Sequence, residues 1–144
     1  MNIRIESVNW AAEESAIRAI RENVFIREQA VPEDLEWDGL DPVCIHLLAW
    51  NDFGQAIGTA RMQPHGIIGR MAVLEAWRGR GVGSALLRRL LQLAAQRGLS
   101  RVTLSAQTHA LGFYDRAGCV AVGEPFMDAG ILHRKMVKEL TDPS

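Results

Sequence analysis

A glycine-rich segment with two arginines, residues 78–83, has the spacing with the clearest chemical meaning in this sequence. It follows an apolar run, Ile67–Leu74, and precedes an amphipathic helix pattern that begins near Val82. Backbone N–H groups at a helix N-terminus are unpaired and carry a partial positive charge, and glycines let an anion approach the backbone closely. The segment therefore predicts a phosphate-binding loop.

Spacing narrows the class of phosphate ligand. A Walker A loop requires a lysine after its last glycine, and this segment contains none. A dinucleotide-binding Gly-x-Gly-x-x-Gly pattern fails because Ser84 or Leu86 stands where the third glycine belongs, and no acidic residue follows about 20 positions on. Nucleoside triphosphatases and dinucleotide-dependent enzymes are therefore disfavoured.

The hexapeptide RGRGVG matches the pattern Arg/Gln-x-x-Gly-x-Gly/Ala and resembles the pyrophosphate loop of the Gcn5-related N-acetyltransferase (GNAT) family. Residues 110–119 resemble the family's Ala-x-x-Phe-Tyr-x-x-x-Gly-Phe segment, with Cys119 in place of the aromatic residue. The resemblance to the ElaA/YjcF-type branch rests on residues 25–32, 36–46, 105–107 and 129–136. It covers nearly the whole chain.

This resemblance implies that acetyl-coenzyme A is the co-substrate. Backbone N–H groups of the loop would bind the coenzyme A pyrophosphate. The preceding strand would offer backbone groups to the pantetheine arm and an oxyanion donor to the thioester carbonyl. The cofactor-binding residues so predicted are Met71, Ala72, Val73, Arg78, Gly79, Arg80, Gly81, Val82, Gly83 and Ser84. The structural alternative is a core strand followed by a tight turn.

Acetyl transfer to an amine requires a group that takes the amine proton and a group that donates a proton to the departing thiolate. Tyr114, the only tyrosine in the sequence, stands where the family has its general acid. His133 resembles the proposed base of glyphosate-type acetyltransferases, and imidazole changes charge near neutral pH. The structural alternatives are a core-edge tyrosine and a hydrogen-bonded strand histidine. Rival bases are Glu28, Glu36, Asp38, Asp41 and His46.

Two further sets of charged residues have open interpretations. The acidic run at residues 33–41 either attracts a cationic amine or forms a solvated surface. Arg21 and Arg27 either hold a substrate carboxylate or are ordinary surface charges, and helical spacing places Arg21 on the solvent-facing side of its helix. Neither cysteine lies in a motif typical of a nucleophile, which favours direct transfer.

Composition limits the remaining possibilities. A chain of 144 residues suits a single domain, 1–144, and a net charge of −1 provides no general attraction for nucleic acid. No apolar run reaches the roughly 18–20 residues of a membrane span. Cys44 and Cys119 are far apart, show no metal-ligand spacing and follow no signal peptide, so we expect a cytoplasmic protein without a metal.

Apolar periodicity predicts an α+β domain of order β-α-β-β-β-α-β-α-β. The predicted fold is a GNAT-like mixed, mainly antiparallel β-sheet with helices on both faces. Strands are expected at residues 3–8, 45–50, 56–62, 67–74, 102–105 and 131–138, and helices at 11–26, 82–97 and 109–117, with residues 27–42 a loop or short helix. Gly98 is expected just beyond the end of the second helix.

The predicted activity is acetyl-coenzyme A-dependent transfer of an acetyl group to a primary amine of a small molecule. The alternatives are acetylation of a protein N-terminus or lysine, and a coenzyme A-binding module without catalysis. A homodimer is an expectation from the family alone.

Overall fold

Seven strands form one sheet in the computed structural model, which describes residues 2–140. The strands are β1 Arg4–Val8, β2 Ile45–Trp50, β3 Ala56–Met62, β4 Ile67–Val73, β5 Arg101–Gln107, β6 Val120–Asp128 and β7 Ile131–Glu139. The helices are α1 Trp10–Arg21, α2 Glu33–Glu36, α3 Val82–Gln96 and α4 Leu111–Arg116, and a π-helical segment, Glu22–Glu28, continues α1. In this described range, no helix is both long and apolar enough to cross a membrane.

The sheet has the order β1-β2-β3-β4-β5-β7-β6. Every neighbouring pair is antiparallel except β4 and β5, which are parallel. The predicted α+β class with a mixed, mainly antiparallel sheet is therefore confirmed.

Helices cover both faces of the sheet. Successive strand residues point to opposite faces, so Leu47 and Leu48 of β2 belong to different parts of the core. Leu48 packs with Ile17 and Ile20 of α1, whereas Leu47 packs with a cluster that includes Leu86 of α3. The apolar stripes of the two helices thus fix their opposite positions.

One element is absent from the predicted order. The edge strand β6 contains Gly123 and Pro125, and its pairing with β7 shifts register between Val122 and Phe126. Proline lacks an N–H donor and is tolerated on an edge strand, while glycine suits the bulge, where φ is +75°. Eight of its nine residues are exposed, so the sequence shows no alternation that would predict a strand.

The approach of α3 to the sheet depends on a glycine in β3. A Cβ at Gly58 would lie 3.1 Å from Val82 Cγ1 and 3.2 Å from Leu86 Cδ1. Because Gly58 has no side chain, the first turn of α3 packs directly on β3. This contact holds the start of α3, and with it the glycine-rich loop, beside the sheet.

A second glycine, Gly66 in the turn between β3 and β4, lies directly against β5. Gly66 lies at φ +88°, its carbonyl accepts a hydrogen bond of 3.0 Å from Thr103 N–H, and a Cβ there would lie 2.9 Å from the Arg101 carbonyl oxygen. We expect Gly66→Ala to lower the free energy of unfolding by about 2–4 kcal/mol, because left-handed strain and a clash add together.

Gly54→Ala is the matched control, because Gly54 has a φ of +73° and no neighbour within 4 Å of a Cβ. We expect it to cost about 1–2 kcal/mol, from strain alone. Urea denaturation measures both variants, and equal losses would contradict the steric argument at Gly66.

Candidate active site

A cleft opens between β4 and β5 because these parallel strands pair at only two positions each. Ile67 and Ile68 face Thr103 and Leu104, and the described pairing goes no further. Beyond these pairs the strands diverge, and a cleft of about 470 Å³ is lined by residues of both, among them Gly69, Arg70 and Met71 of β4 and Ser105 and Gln107 of β5. The edges of β4 and β5 are thereby available to a ligand.

A β-bulge lies where β4 leaves β5. One residue of β3, Ala60, faces two residues of β4, Arg70 and Met71. Arg70 has a φ of +48°, a left-handed conformation that non-glycine residues rarely adopt. Because a bulge bends its strand and increases the local twist, it turns β4 away from β5.

The pairing of β3 with β4 shows which backbone groups of β4 face the cleft side. Leu74 N–H donates to the Ile57 carbonyl at 2.9 Å, so the next pair, Gly58 and Val73, exchanges no hydrogen bonds. The N–H and carbonyl of Val73 therefore point away from β3. Ala72, one residue before, has its backbone groups directed at β3 and is buried.

The glycine-rich loop leads into α3 without a side-chain cap. Gly81 is the N-cap residue with a φ of +84°, Gly79 has a φ of +73°, and the first turn contains no acidic residue. The N–H groups at Val82, Gly83 and Ser84 belong to the first turn and lack partners within the helix. No atom lies within 4 Å of a Cβ at Gly79 or Gly81, so the loop is open to an anion.

The loop lies at the Val73 end of β4. A Cβ at Gly83 would be 3.4 Å from the Phe113 ring and 3.9 Å from Val73 Cγ2. Arg78 donates from Nε to the Val73 carbonyl at 2.9 Å and from Nη2 to the Glu28 carboxylate at 2.8 Å. The Arg80 guanidinium lies 5.2 Å from the centre of the Trp77 ring. The predicted cofactor residues 78–84 are thus contiguous with one end of β4.

Tyr114 faces the cleft from α4. Its hydroxyl donates to the Met71 sulfur at 3.8 Å, and both side chains line the cleft. Burial raises the pKa of the phenol to about 12, with a further increase from Cys119. The phenol is therefore protonated at neutral pH and can donate a hydrogen bond into the cleft.

His133 lines the same cleft from β7 and is 8% exposed. Its Nδ1 lies 2.7 Å from the Ile131 carbonyl oxygen, which only accepts hydrogen bonds, so Nδ1 carries the proton of the neutral ring. Nε2 then holds the lone pair, and no side chain or carbonyl in residues 2–140 bonds to it. The ring packs on Phe126 at 5.9 Å between centroids. The structure thus brings the two predicted catalytic residues to one cleft, with His133 in the tautomer that a base requires.

His46 is held differently. Its Nε2 donates to the Asp41 carbonyl at 2.8 Å, and its ring stacks on Trp10 at 5.0 Å. Burial lowers the pKa of His46, despite its hydrogen bond to Asp41. The ring is not part of the cleft wall, and the geometry favours a structural role over a catalytic one.

Arg21 is completely buried, so its predicted place on the solvent-facing side of the helix was wrong. Nε donates to Glu36 Oε2 and Nη1 to Asp41 Oδ1, each at 2.7 Å, and Trp37 covers the guanidinium at 4.9 Å. A charge can be buried when opposite charges satisfy it. Those partners lie 15 and 20 residues away, beyond the range of helical periodicity.

Two more arginines complete this buried cluster. Arg61 contacts both oxygens of Asp38, at 3.0 and 2.8 Å, and Asp41 at 3.0 Å. Arg70 contacts the carboxylates of Glu36 at 3.3 Å and Asp38 at 3.2 Å. We call the set the charge cluster; its members are Arg21, Arg61, Arg70, Glu36, Asp38 and Asp41. Three positive and three negative groups balance one another.

Ion pairing disfavours the acidic residues as bases. Burial would raise the pKa of Asp38, but the hydrogen bonds and charge of Arg61 outweigh it and lower the pKa to about 2. Arg21 and Arg61 likewise lower the pKa of Asp41 against its burial. Burial raises the pKa of Glu36, although Arg70 and Arg21 oppose the shift. Its short contacts with two guanidinium groups are those of a carboxylate.

The last rival base, Glu28, and the candidate substrate contact Arg27 both lie outside the cleft wall. Glu28 pairs with Arg78 and is not part of the cleft wall. Arg27 is exposed on the π-helical segment and also lies outside that wall. Sequence reasoning missed Arg61, Arg70 and Asp128, all of which line the cleft. The available signal was an arginine inside each of two apolar strand patterns, since a charge placed there needs a partner.

Comparison with known proteins agrees with this geometry. The family model for the acetyltransferase (GNAT) domain matches residues 12–140. The uncharacterized N-acetyltransferase YjcF of Bacillus subtilis is 36% identical over 124 residues, which cover 83% of this chain and 88% of YjcF.

Two crystal structures show the same fold. An acyl-CoA N-acyltransferase from Pseudomonas aeruginosa is 35% identical with a TM-score of 0.83, over 95% of this chain and 99% of that one. Escherichia coli ElaA is 28% identical with a TM-score of 0.86, over 96% of this chain and 100% of that one. The chain belongs to the GNAT family of N-acetyltransferases, in its ElaA/YjcF-like branch.

The lowered pKa of Asp38 in the charge cluster predicts that the free energy of unfolding decreases at acidic pH. Because the pKa of Asp38 is lowered from 3.8 to about 2 in the folded state, its ionisation stabilises the fold above pH 3.8, and this contribution is lost as the pH falls towards 2. We expect Asp38→Asn to be less stable than the unmodified protein at pH 7, by up to about 2 kcal/mol, and the difference to shrink between pH 4 and pH 2. Urea denaturation across this range measures the difference, and a gap independent of pH would refute the assignment.

Proposed function

We propose that this protein transfers an acetyl group from acetyl-coenzyme A directly to a primary amine of a small molecule. The observation that carries the proposal is the single cleft between β4 and β5, which contains both Tyr114 and His133 while the N-terminus of α3 lies at the Val73 end of β4. Membership of the GNAT family supports acyl transfer, and the name of the Pseudomonas aeruginosa structure supports an acyl-coenzyme A donor.

The loop and β4 fit the two polar parts of coenzyme A. Uncapped N–H groups at Val82, Gly83 and Ser84 suit a pyrophosphate, and the positive φ values of Gly79 and Gly81 keep side chains out of its path. The outward N–H of Val73 suits an amide of the pantetheine arm, and the bulge residue Met71 lies on the cleft wall. When bound, acetyl-coenzyme A supplies a thioester whose carbonyl carbon accepts the amine.

His133 is assigned the removal of the amine proton. An alkylamine is almost fully protonated at pH 7, so attack requires a group that accepts its proton. The Nδ1 hydrogen bond to Ile131 fixes the ring and leaves the lone pair on Nε2, and the residue lines the cleft. His133 thus has the position and tautomer of a general base.

Tyr114 is assigned the stabilisation of the thiolate that leaves when the thioester is cleaved. The pKa of the phenol is about 12, whereas the pKa of a thiol is about 8.5. Complete transfer of the phenol proton to the thiolate is therefore uphill by roughly 5 kcal/mol. A hydrogen bond from the hydroxyl to the developing thiolate has no such cost. Tyr114 therefore stabilises the leaving thiolate by donating a hydrogen bond and keeps its own proton. The released thiolate takes up a proton from solvent, and His133 returns the amine proton to solvent.

The cysteines support direct transfer without an acetyl-enzyme. Burial raises the pKa of both Cys44 and Cys119, which opposes formation of a nucleophilic thiolate. Neither side chain lines the cleft.

The proposal is tested by thiol release from acetyl-coenzyme A with a panel of small amines, beside calorimetric measurement of acetyl-coenzyme A binding. Binding together with amine-dependent release supports an acetyltransferase. Binding without release from any amine would favour a coenzyme A-binding module. Release with peptides alone would favour the acetylation of protein N-termini or lysines.

We expect Tyr114→Phe to lower kcat by about 100-fold or more, because the leaving group loses its hydrogen-bond donor. The affinity for acetyl-coenzyme A should change little, since the ring is retained. Steady-state kinetics and calorimetry measure these effects, and an unchanged kcat across pH would remove Tyr114 from the mechanism.

We expect His133→Gln to lower kcat/KM by about 100-fold and to flatten the acidic limb of its pH profile, because that limb reports protonation of the base. His65→Gln is the matched control, since His65 is exposed and outside the cleft wall. If His133→Gln retained the acidic limb of the unmodified enzyme, the base would be another group.

A further inference from the structure

The acceptor side of the cleft has an unusual distribution of charge. Its ionised side chains are two arginines, Arg61 and Arg70, and three carboxylates, Glu36, Asp38 and Asp128. An acceptor that carries an acid group would need one of those arginines as its partner. The contacts of the two arginines therefore decide which acceptors the cleft can bind.

Arg61 is committed mainly to the charge cluster, through Nη1 and Nη2. It makes three contacts of 2.8–3.0 Å with the Asp38 and Asp41 carboxylates, and its side chain is 4% exposed. Displacing these carboxylates would leave buried charges without partners, which is costly.

Arg70 is bound through Nε and Nη2, whereas its Nη1 makes no hydrogen bond or ion pair within residues 2–140 and its side chain is 25% exposed. Its Nη2 donates to the carbonyls of Leu35 at 3.2 Å and Glu36 at 3.1 Å and lies 3.2 Å from Asp38 Oδ2, while Nε lies 3.3 Å from Glu36 Oε2. These contacts also hold the left-handed backbone of the bulge. Within the charge cluster the three arginines and three carboxylates cancel, so the inner wall of the cleft presents no net charge to an acceptor.

Asp128 is the charge that remains. It is exposed, lies outside the charge cluster, and its carboxylate makes no hydrogen bond or ion pair with any residue of the described range 2–140. It stands opposite Ile131 in the β6–β7 hairpin, and the Ile131 carbonyl is the group that orients His133. A carboxylate without a partner therefore lies on the same cleft wall as the proposed base.

We propose that the acceptor is an amine that carries a second positive charge, and that Asp128 binds the second charge. This inference rests on the proposed acetyltransferase function and names the chemical class of its acceptor. Asp128 is a specificity residue, since it contacts the part of the acceptor remote from the reacting nitrogen.

Three amines of equal length test the inference: pentylamine, 1,5-diaminopentane and 5-aminopentanoate, which differ in a neutral, cationic or anionic tail. Thiol release from acetyl-coenzyme A gives kcat/KM for each. We expect the order diaminopentane, pentylamine, aminopentanoate. Asp128→Asn should lower the ratio of kcat/KM for diaminopentane over pentylamine by roughly two- to fivefold. Glu124→Gln, which removes one exposed charge from β6 outside the cleft wall, should change none of the three.

A gain-of-function variant addresses the charge balance separately. Asp38→Asn removes one carboxylate shared by Arg61 and Arg70 and should raise the ratio of kcat/KM for aminopentanoate over pentylamine by at least roughly threefold. Preference of the unmodified enzyme for aminopentanoate, or an equal effect of Asp128→Asn on all three amines, would overturn the inference while leaving the acetyltransferase function intact. Absence of release with all three amines would count against both.

Discussion

The parallel strands β4 and β5 pair at two positions each, and the gap that follows determines where chemistry can occur in this protein. A paired strand has no free N–H to offer, so the outward N–H of Val73 can meet a ligand only because β5 does not pair with β4 there. The bulge at Arg70 lies at the point of separation. Tyr114 from α4 and His133 from β7 reach the same gap from elements that follow in the chain.

The charge cluster holds the strained part of this arrangement in place. Arg70 has a φ of +48°, and its guanidinium contacts two carboxylates and two carbonyls of the acidic segment. Left-handed strain of about 1–2 kcal/mol is tolerable when several charge-assisted contacts depend on it. Buried ion pairs are often no more stabilising than apolar side chains of the same volume, but loss of one partner is costly. The cluster therefore serves chiefly to fix the geometry of the bulge at Arg70.

The two ends of the site have different electrostatics. The loop end presents uncapped N–H groups, the positive end of α3 and two nearby arginines, which suits a phosphate. The acceptor end is lined by a cluster whose charges cancel, by a neutral phenol and by a histidine with its proton on Nδ1. Acceptor chemistry requires a neutral amine next to a neutral base. Asp128, a carboxylate without a partner in residues 2–140, also lines the cleft at the acceptor end.

Local pattern in the sequence determined the strands β1 to β5 and β7, the helices α1, α3 and α4, and the glycine-rich loop, because periodicity and φ preferences act over a few residues. Gly98 just past α3, at φ +77°, is one such position. It also determined the family, since the loop and the segment around Tyr114 carry its motifs. The edge strand β6 was not predicted, because an exposed strand lacks the alternation of apolar and polar residues by which strands are recognised.

Only the tertiary structure decided which charged residues meet. Arg21 has the spacing of a surface residue but is buried, since its carboxylate partners arrive from a segment 15–20 residues further on. The same segment supplies Asp38 to Arg61 and Arg70, at separations of 23 and 32 residues. Ion pairs between distant residues leave no periodic trace in a single sequence. Neither the charge balance of the cluster nor the unpaired state of Asp128 could therefore be predicted before the strands were placed side by side.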